Sequence, residues 1–545
     1  MGFRRWAQAA CLLIFLLLLA MAGRLVSADL FLRMDPALIG AAALAARTLL
    51  WAFAPALIIL VSALLFGRIF CGYICPMGTT IDACDACFAP RGRVQNRHPV
   101  SPRLKYGILA FMAGAALTGV TFVFWAAPLS LITRFYGTVI YPVIYLAANK
   151  AVAVFYPVAS GLDLRFLMFA EIPTPKYAVG FFVLLFFAAV FAAVRFAPRF
   201  WCRYLCPTGA FLGLMSKKPI IRRRVGPECN QCGLCAEKCS MAAIDPAYPE
   251  TTRHTECIAC RQCAQLCPQE AIRFSAEPAG SPGPAPVSTH RRQFLLSGIA
   301  GAGTAAVSLT GLNVVLRGET EKGQVRPPGL IRPPGALPES DFLAACVRCG
   351  QCMSACPTNT LQPIWFEAGV LGIFSPAITP RRKYCDPRCT ACGRACPTGA
   401  IRLLDAAERV WAKTGTAVIY RQKCLAWEYE KSCMVCDEVC PYDALEFEKR
   451  PNLPHPVPHV IEDRCSGCGY CEHACPVYNE AAIVVTPMNA LRLKPGESYE
   501  YAAKSRGFTL QLEPDKADSA DAIDARATTP SPDRNGLPPG FDQGR

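Results

Sequence analysis

The chain has 545 residues, 52% of them hydrophobic, with 31 cysteines and 56 Lys and Arg against 41 Asp and Glu, a net charge of +15. A chain this long buries several cores without covalent staples, so a small disulfide scaffold is excluded, and cysteines grouped in tight threes and fours have metal-ligand spacing. The mean hydropathy of +0.26 points to membrane.

Apolar runs at 6–26, 38–66, 106–127, 177–194 and 294–316 are each long enough to cross a hydrocarbon core about 30 Å thick, which predicts five spans. The run at 129–158 carries Arg134, Lys150 and several prolines and reads as interfacial or re-entrant. Arg4 and Arg5 precede the first span, a basic cluster from Arg68 to Lys105 separates the second and third, and Arg195 to Arg224 follow the fourth. These ends belong on the cytoplasmic side, so the positive charge is mostly topology and nucleic-acid binding is not needed to explain it. Between the third and fourth spans stand Arg134, Lys150, Arg165 and Lys176, a sparse set that suits a periplasmic loop.

Span 2 closes on Phe70-Cys71-Gly72-Tyr73-Ile74-Cys75-Pro76-Met77-Gly78, and span 4 is followed by Trp201-Cys202-Arg203-Tyr204-Leu205-Cys206-Pro207-Thr208-Gly209. Duplication of the whole nonapeptide asks for more than helix capping by Pro and Gly. Four thiols at one membrane face suit a shared redox or metal site. Cys11 lies within the first span as a small apolar residue, and Cys84 and Cys87 form an isolated C-x2-C.

Two ferredoxin motifs follow: Cys229, Cys232, Cys235, Cys239, and Cys257, Cys260, Cys263, Cys267-Pro268. In C-x2-C-x2-C-x3-C-P, three close cysteines hold one [4Fe–4S] cube and the fourth reaches the partner cube. This predicts Cys229, Cys232 and Cys235 with Cys267, and Cys257, Cys260 and Cys263 with Cys239. Structural zinc also takes four thiolates, but it explains neither the third close cysteine nor the repeated proline.

Proline-rich stretches at 277–288 and 325–338 read as extended linkers. Between them, Arg291-Arg292-Gln293-Phe294-Leu295 opens an apolar run and looks like a twin-arginine export signal inside the chain, serving as the fifth span without a cleavage site. Four more motifs follow: Cys346, Cys349, Cys352, Cys356-Pro357; Cys385, Cys389, Cys392, Cys396-Pro397; Cys424, Cys433, Cys436, Cys440-Pro441; and Cys465, Cys468, Cys471, Cys475-Pro476. Spacing does not fix whether these four pair sequentially or nested. The wider gaps after Cys385 and Cys424 alter loop shape more than ligand count. The polar tail 516–545 reads as disordered.

All six histidines lie outside the spans and no C-x2-C-H occurs, so no haem is expected; without a Rossmann fingerprint or P-loop, neither flavin nor nucleotide is expected. The fold class is mixed: an α-helical membrane domain (1–225), a two-cluster ferredoxin-like α+β domain on the cytoplasmic side (226–275), a linker with the fifth helix (276–323), and a four-cluster domain (324–515) that begins a periplasmic region running to 545.

Residues 1–275, with two C-x3-C-P and two ferredoxin motifs, resemble the membrane ferredoxin-type proteins NapH and MauN. Residues 288–515, with the twin arginines, Arg332-Pro333-Pro334-Gly335-Ala336 and four cluster motifs, are similar to NapG and MauM. The chain thus resembles a NapH–NapG-type fusion in the bacterial cytoplasmic membrane. The resemblance implies a haem-free quinol dehydrogenase in which Cys71, Cys75, Cys202 and Cys206 are linked with quinol oxidation and six clusters carry electrons onward. The expected partners are the quinol pool, a periplasmic redox protein such as a cytochrome c or a reductase, and a haem-bearing membrane subunit; no nucleic acid is expected. Glu171 and Asp163 are candidate proton acceptors. Because about 30 Å of hydrocarbon separates the two cluster groups, a quinone pool or partner haem is expected to bridge them. The rival class is assembly: CcoG and NosR resemble the first half, and there the same cysteines would handle metal during maturation of another metalloenzyme.

Overall fold

The structure is a computed structural model that describes residues 2–22, 29–47, 54–88, 100–161, 174–276, 291–310 and 329–513. Asp163, Glu171, the stretch 277–288 and the tail 516–545 lie outside the described residues.

The N-terminal region is a helical bundle: α1 (Gly2–Ala20), α2 (Leu30–Arg33), α3 (Pro36–Ala46), α4 (Ala54–Phe66), α5 (Ile69–Tyr73), α6 (Pro76–Phe88), α7 (Leu104–Leu117) and α8 (Pro128–Phe135), then helices Tyr141–Gly161, Gly180–Ala192, Phe200–Tyr204 and Pro207–Met215. Two helices are long and apolar enough to cross a membrane, Gly2–Ala20 and Pro128–Tyr156, beside shorter apolar helices Pro36–Ala46, Ala54–Phe66, Leu104–Leu117 and Gly180–Arg195. The single run expected at 38–66 is two helices. Asp35 caps the first by accepting from the amides of Ala37 and Leu38, and Arg47, left-handed at φ 51°, ends it. The run expected at 106–127 stops at Leu117 because Gly119 turns at φ 90°.

Residues 129–158 form one continuous helical stretch, with a π-helical turn at Tyr136–Ile140 joining α8 to the next helix. Arg134, the charge that argued against a span, is buried: its guanidinium donates to the carbonyls of Arg348 and Phe124 and lies over the Phe374 ring. The cation is satisfied by backbone carbonyls of the bundle and of the loop that carries Cys346 and Cys349.

Three ferredoxin bodies share one plan, in which strands flanking the motif pair form an outer ladder and strands between the motifs form an inner one. In the first, β1 (Arg222–Val225) pairs antiparallel with β2 (Ile272–Ser275), and Ile244 bridges Thr252 inside. In the second, Ala336 bridges Ile401 outside, and β3 (Leu361–Pro363) pairs with β4 (Pro376–Ile378). In the third, β5 (Thr416–Ile419) pairs with β8 (Ile483–Thr486), enclosing β6 (Leu445–Glu448) on β7 (Val457–Val460). The expected linker at 325–338 is corrected over its described part. Ile331 to Leu337 are buried in the second body, and Arg332 is held by Glu339, Ser375, the Pro376 carbonyl and the Phe342 ring.

Helix Arg291–Thr310, which opens on the twin arginines, runs parallel to α7, bringing Ser297 to Gly107, Gly301 to Phe111 and Ala305 to Ala115. A Cβ added at Gly114 or Gly301 would overlap the backbone carbonyl of the facing helix, so only glycine lets these backbones touch.

Candidate functional site

Each ferredoxin motif is curled by left-handed residues. In four of the six, the residues just before and just after the second cysteine have positive φ: Gln231 and Gly233, Ala259 and Arg261, Arg348 and Gly350, Gly467 and Gly469. The two wide-gap motifs enter their short helices from Thr390 at φ −120° and Met434 at φ −123° instead. A further left-handed residue follows every fourth cysteine, at Ala242, Glu270, Asn359, Gly399, Asp443 and Asn479. That turn folds later amides back to the sulfur: Ala243, Ile401, Ala444 and Ala482 donate N–H bonds to Cys239, Cys396, Cys440 and Cys475 at 3.3–3.4 Å. Left-handed conformations in non-glycine residues cost about 1 kcal/mol each, and these loops hold them to aim backbone N–H groups at sulfur.

The loops bring cysteines together in fours. Cys257, Cys260 and Cys263 share a cavity with Cys239, as expected. Cys346, Cys349 and Cys352 line one with Cys396, while Cys385, Cys389 and Cys392 line another with Cys356. Cys424, Cys433 and Cys436 meet Cys475, while Cys465, Cys468 and Cys471 meet Cys440. Pairing among the last four motifs is therefore sequential. Equal thiol sets around these cavities, with amide donors on sulfur, fit iron–sulfur clusters. Cys235 lies within electrostatic reach of Cys229 and Cys232 in the first body, and Cys232 is exposed.

Two buried arginines donate to cluster-motif sulfurs, Arg223 to Cys235 and Arg409 to Cys385, each at 3.3 Å. Such bonds raise cluster potentials. Burial pulls the Arg348 guanidinium down to about 10, and it stays charged at neutral pH, held by carbonyls of Thr121, Leu343 and Leu371.

The quartets of the second and third bodies form a row. Cys352 lies within reach of Cys392, the Cys385 amide donates to the Cys468 carbonyl at 2.8 Å, and Cys471 lies within reach of Cys436. The order is thus Cys346, Cys385, Cys465, Cys424 by first member. The Cys346 end sits on the bundle, with Ser130 donating to Val347, Arg134 to Arg348 and Tyr177 to Met353. At the Cys424 end, Met434 stands 48% exposed between Cys433 and Cys436, beside Tyr429 at 58%.

The two nonapeptides also converge. Cys71, Cys75, Cys202 and Cys206 are all buried, and each thiol is within electrostatic reach of the other three. Sequence reasoning missed their companions. Arg68 and Arg199 stand three residues before the first cysteine of each copy, and they cross over: Arg199 donates to the Cys71 carbonyl at 2.9 Å and to Asp82, while Arg68 packs against Gly209 of the second copy. The signal was present, since both nonapeptides follow an arginine. Asp35, accepting from Thr208, ties α3 to the second copy.

The first body docks on the same place. The Arg68 guanidinium reaches the Thr255 carbonyl and Glu256, where Lys105 and Tyr106 also converge, and Tyr73 donates to the Ala259 carbonyl. Burial pushes the Glu256 carboxyl up, but Lys105 and Arg68 outweigh it and hold it below the ordinary carboxylate range. Cys11 is half-buried in α1; on α6, Cys84 is half-buried and Cys87 exposed.

Family models for a 4Fe-4S binding domain match residues 48–84 with 179–228 and, separately, 253–273 and 343–362; one for a 4Fe-4S dicluster domain matches 431–479. The methylamine utilization ferredoxin-type protein MauM of Methylorubrum extorquens is 39% identical over 210 residues, which is 37% of this chain and 91% of the relative. MauM of Paracoccus denitrificans is 41% identical over 175 residues, 31% of this chain and 76% of the relative. The ferredoxin-type protein NapG of Escherichia coli is 34% identical over 223 residues, 39% of this chain and 91% of the relative. With its cysteine loops, paired ladders and this coverage, the chain belongs to the NapG/MauM family of ferredoxin-type iron–sulfur electron-transfer proteins.

Proposed function

We propose that the protein is a membrane-bound, haem-free quinol dehydrogenase that passes electrons through six ferredoxin-type clusters to a periplasmic acceptor. The carrying observation is the row of four quartets that starts on the helical bundle and ends beside exposed Met434 and Tyr429. When bound, each cluster accepts and returns one electron. Quinol oxidation releases two electrons and two protons at the bundle. The ligands are Cys229, Cys232, Cys235 with Cys267, and the five quartets above. Loop amides and Arg223 and Arg409 hold the sulfurs, and the bundle excludes water from the Cys346 quartet. The chain is multi-pass, with the first body cytoplasmic and the others periplasmic. Support comes from the helices Gly2–Ala20 and Pro128–Tyr156 and from the parallel run of helix Arg291–Thr310 with α7, which puts the twin arginines and Lys105 on one side.

The test is anaerobic protein in mild detergent, mixed with a menaquinol analogue and followed by EPR. Rapid cluster reduction, lost in Cys71→Ser while the ferredoxin clusters remain, is the expected result. Full clusters that quinol never reduces would overturn the reading and favour supply of electrons to metalloenzyme assembly.

A further inference from the structure

The buried quartet at the heart of the bundle has the chemistry of a redox centre in its own right. Four thiols meet with no water access, and Gly209 donates its amide to Cys206 at 3.2 Å, the same amide-to-sulfur bond seen after the fourth cysteine of the ferredoxin loops. Arg68 is fully buried, and its Nε and Nη2 have no acceptor among the described residues. Nη2 points at Gly209, where a Cβ would stand 2.5 Å from it and 3.4 Å from the Cys206 sulfur. The Arg68 Nη1 is held by Glu256 and the Thr255 carbonyl, and the two remaining nitrogens, buried beside the thiols, call for a further acceptor. Nearby, Arg4, Arg68, Lys105 and Arg199 converge on two carboxylates, Asp82 and Glu256, so the positive charge is in surplus even with Asp35 counted. A thiolate-ligated metal–sulfur cluster supplies the missing negative charge.

Position adds a second argument. On one side, the Gly72 backbone touches the first body so closely that a Cβ there would lie 2.7 Å from the Ile258 carbonyl, next to Cys257. On the other side, α8 packs between α6 and the Cys346 loop. One flank of α8, with Ser130 and Arg134, bonds the loop; just past its end, Tyr136 bonds Thr80 of α6, the helix that begins at Cys75-Pro76. A single helix layer is roughly 8–10 Å thick. The quartet, Cys257 and Cys349 all border one continuous packed core.

The geometry points to a seventh cluster, held by Cys71, Cys75, Cys202 and Cys206 and balanced by Arg68 and Arg199, that relays electrons between the first ferredoxin body and the Cys346 quartet. Each step moves one electron, oxidising the donor cluster and reducing the acceptor, with no bond made or broken and no proton transferred. This rests on the membrane placement proposed above but not on quinol as reductant, and it removes the need for a quinone pool or partner haem between the cluster groups.

The experiment uses the full chain in unilamellar lipid vesicles that enclose oxidised cytochrome c, with dithionite outside and no quinone. The parent should reduce the enclosed cytochrome, and Cys206→Ser should do so at least roughly tenfold more slowly. Iron should fall from about 28 to about 24 atoms per chain, with loss of one EPR component and the others unchanged. Equal iron and equal rates would overturn the proposal, as would a parent that does not conduct. Arg68→Lys guards against misfolding of the cysteine variant: it should retain full iron yet shift the midpoint potential of one EPR component, and no shift in any component would equally overturn the proposal. Quinol reduction in detergent is scored separately, so failure of one reading leaves the other standing.

Discussion

Arg199 and Arg4 meet at Asp82, and the carboxylate makes bonds of 2.5–2.6 Å to both guanidinium groups. Burial pushes the Asp82 carboxyl up, but Arg199 and Arg4 overcome it and hold its pKa below the ordinary value. The folded pKa is then lower than the unfolded one, near 3.9. Its contribution to stability is full above that unfolded value and is lost as pH falls through the depressed folded value. Asp82→Asn leaves two cations facing a neutral amide and should cost about 1–3 kcal/mol near neutral pH, below the range for a fully buried pair because Asp82 is a quarter exposed. The gap between thermal melts of parent and variant should begin to narrow as pH falls below about 4 and close once pH is below the depressed folded value, and a gap that did not narrow with acidification would show that Asp82 acts through packing. The cluster cysteines were legible at this scale because cube geometry dictates their spacing. Arg68 and Arg199 were not, because an arginine at a predicted membrane face is already accounted for by topology, and only the fold shows each one crossing to the other copy.

Helix Arg291–Thr310 was legible as an element, from its charges and apolar length, but its partner was not, since Gly-rich contacts leave no hydrophobic periodicity to read. Its parallel fit on α7 treats the export-like segment as a permanent structural helix. Gly301→Leu forces a side chain into the Phe111 backbone and should destabilise the protein by about 1–3 kcal/mol or more, as overpacking does. The readout is thermal unfolding, together with exchange protection of the Leu104–Leu117 amides; unchanged protection would mean that the two helices do not pack. Arg134 carried the reading of 129–158 because its charge suggests water, and prolines carried the linker reading of 325–338, yet the Arg134 and Arg332 guanidinium groups are each consumed by carbonyls or a carboxylate and an aromatic face. Sequence supplies the charge but not the partner that neutralises it. The pairing of the last four motifs was hidden because spacing within a motif does not say which partner its fourth cysteine reaches, and the strand ladders decide.

Across the whole molecule, stations run from the exposed Cys232 through the bundle to exposed Met434. Under the proposed oxidation of quinol at the bundle, the two ends are unequal. The first body then lies behind the point where electrons arrive, and the Cys424 quartet lies ahead of it. Cys232→Ser, which removes the outermost station of the first body, should leave quinol-driven reduction of a cytochrome c acceptor within about twofold of the parent. Cys436→Ser should stop that reduction while quinol still bleaches the remaining clusters, because electrons reach the Cys465 quartet and halt. Both variants are read in one stopped-flow experiment, with cluster absorbance and acceptor absorbance recorded together. A Cys232→Ser protein as impaired as Cys436→Ser would place the arrival of electrons at the first body, and the direction of flow through the bundle would then start from a cytoplasmic donor in place of quinol.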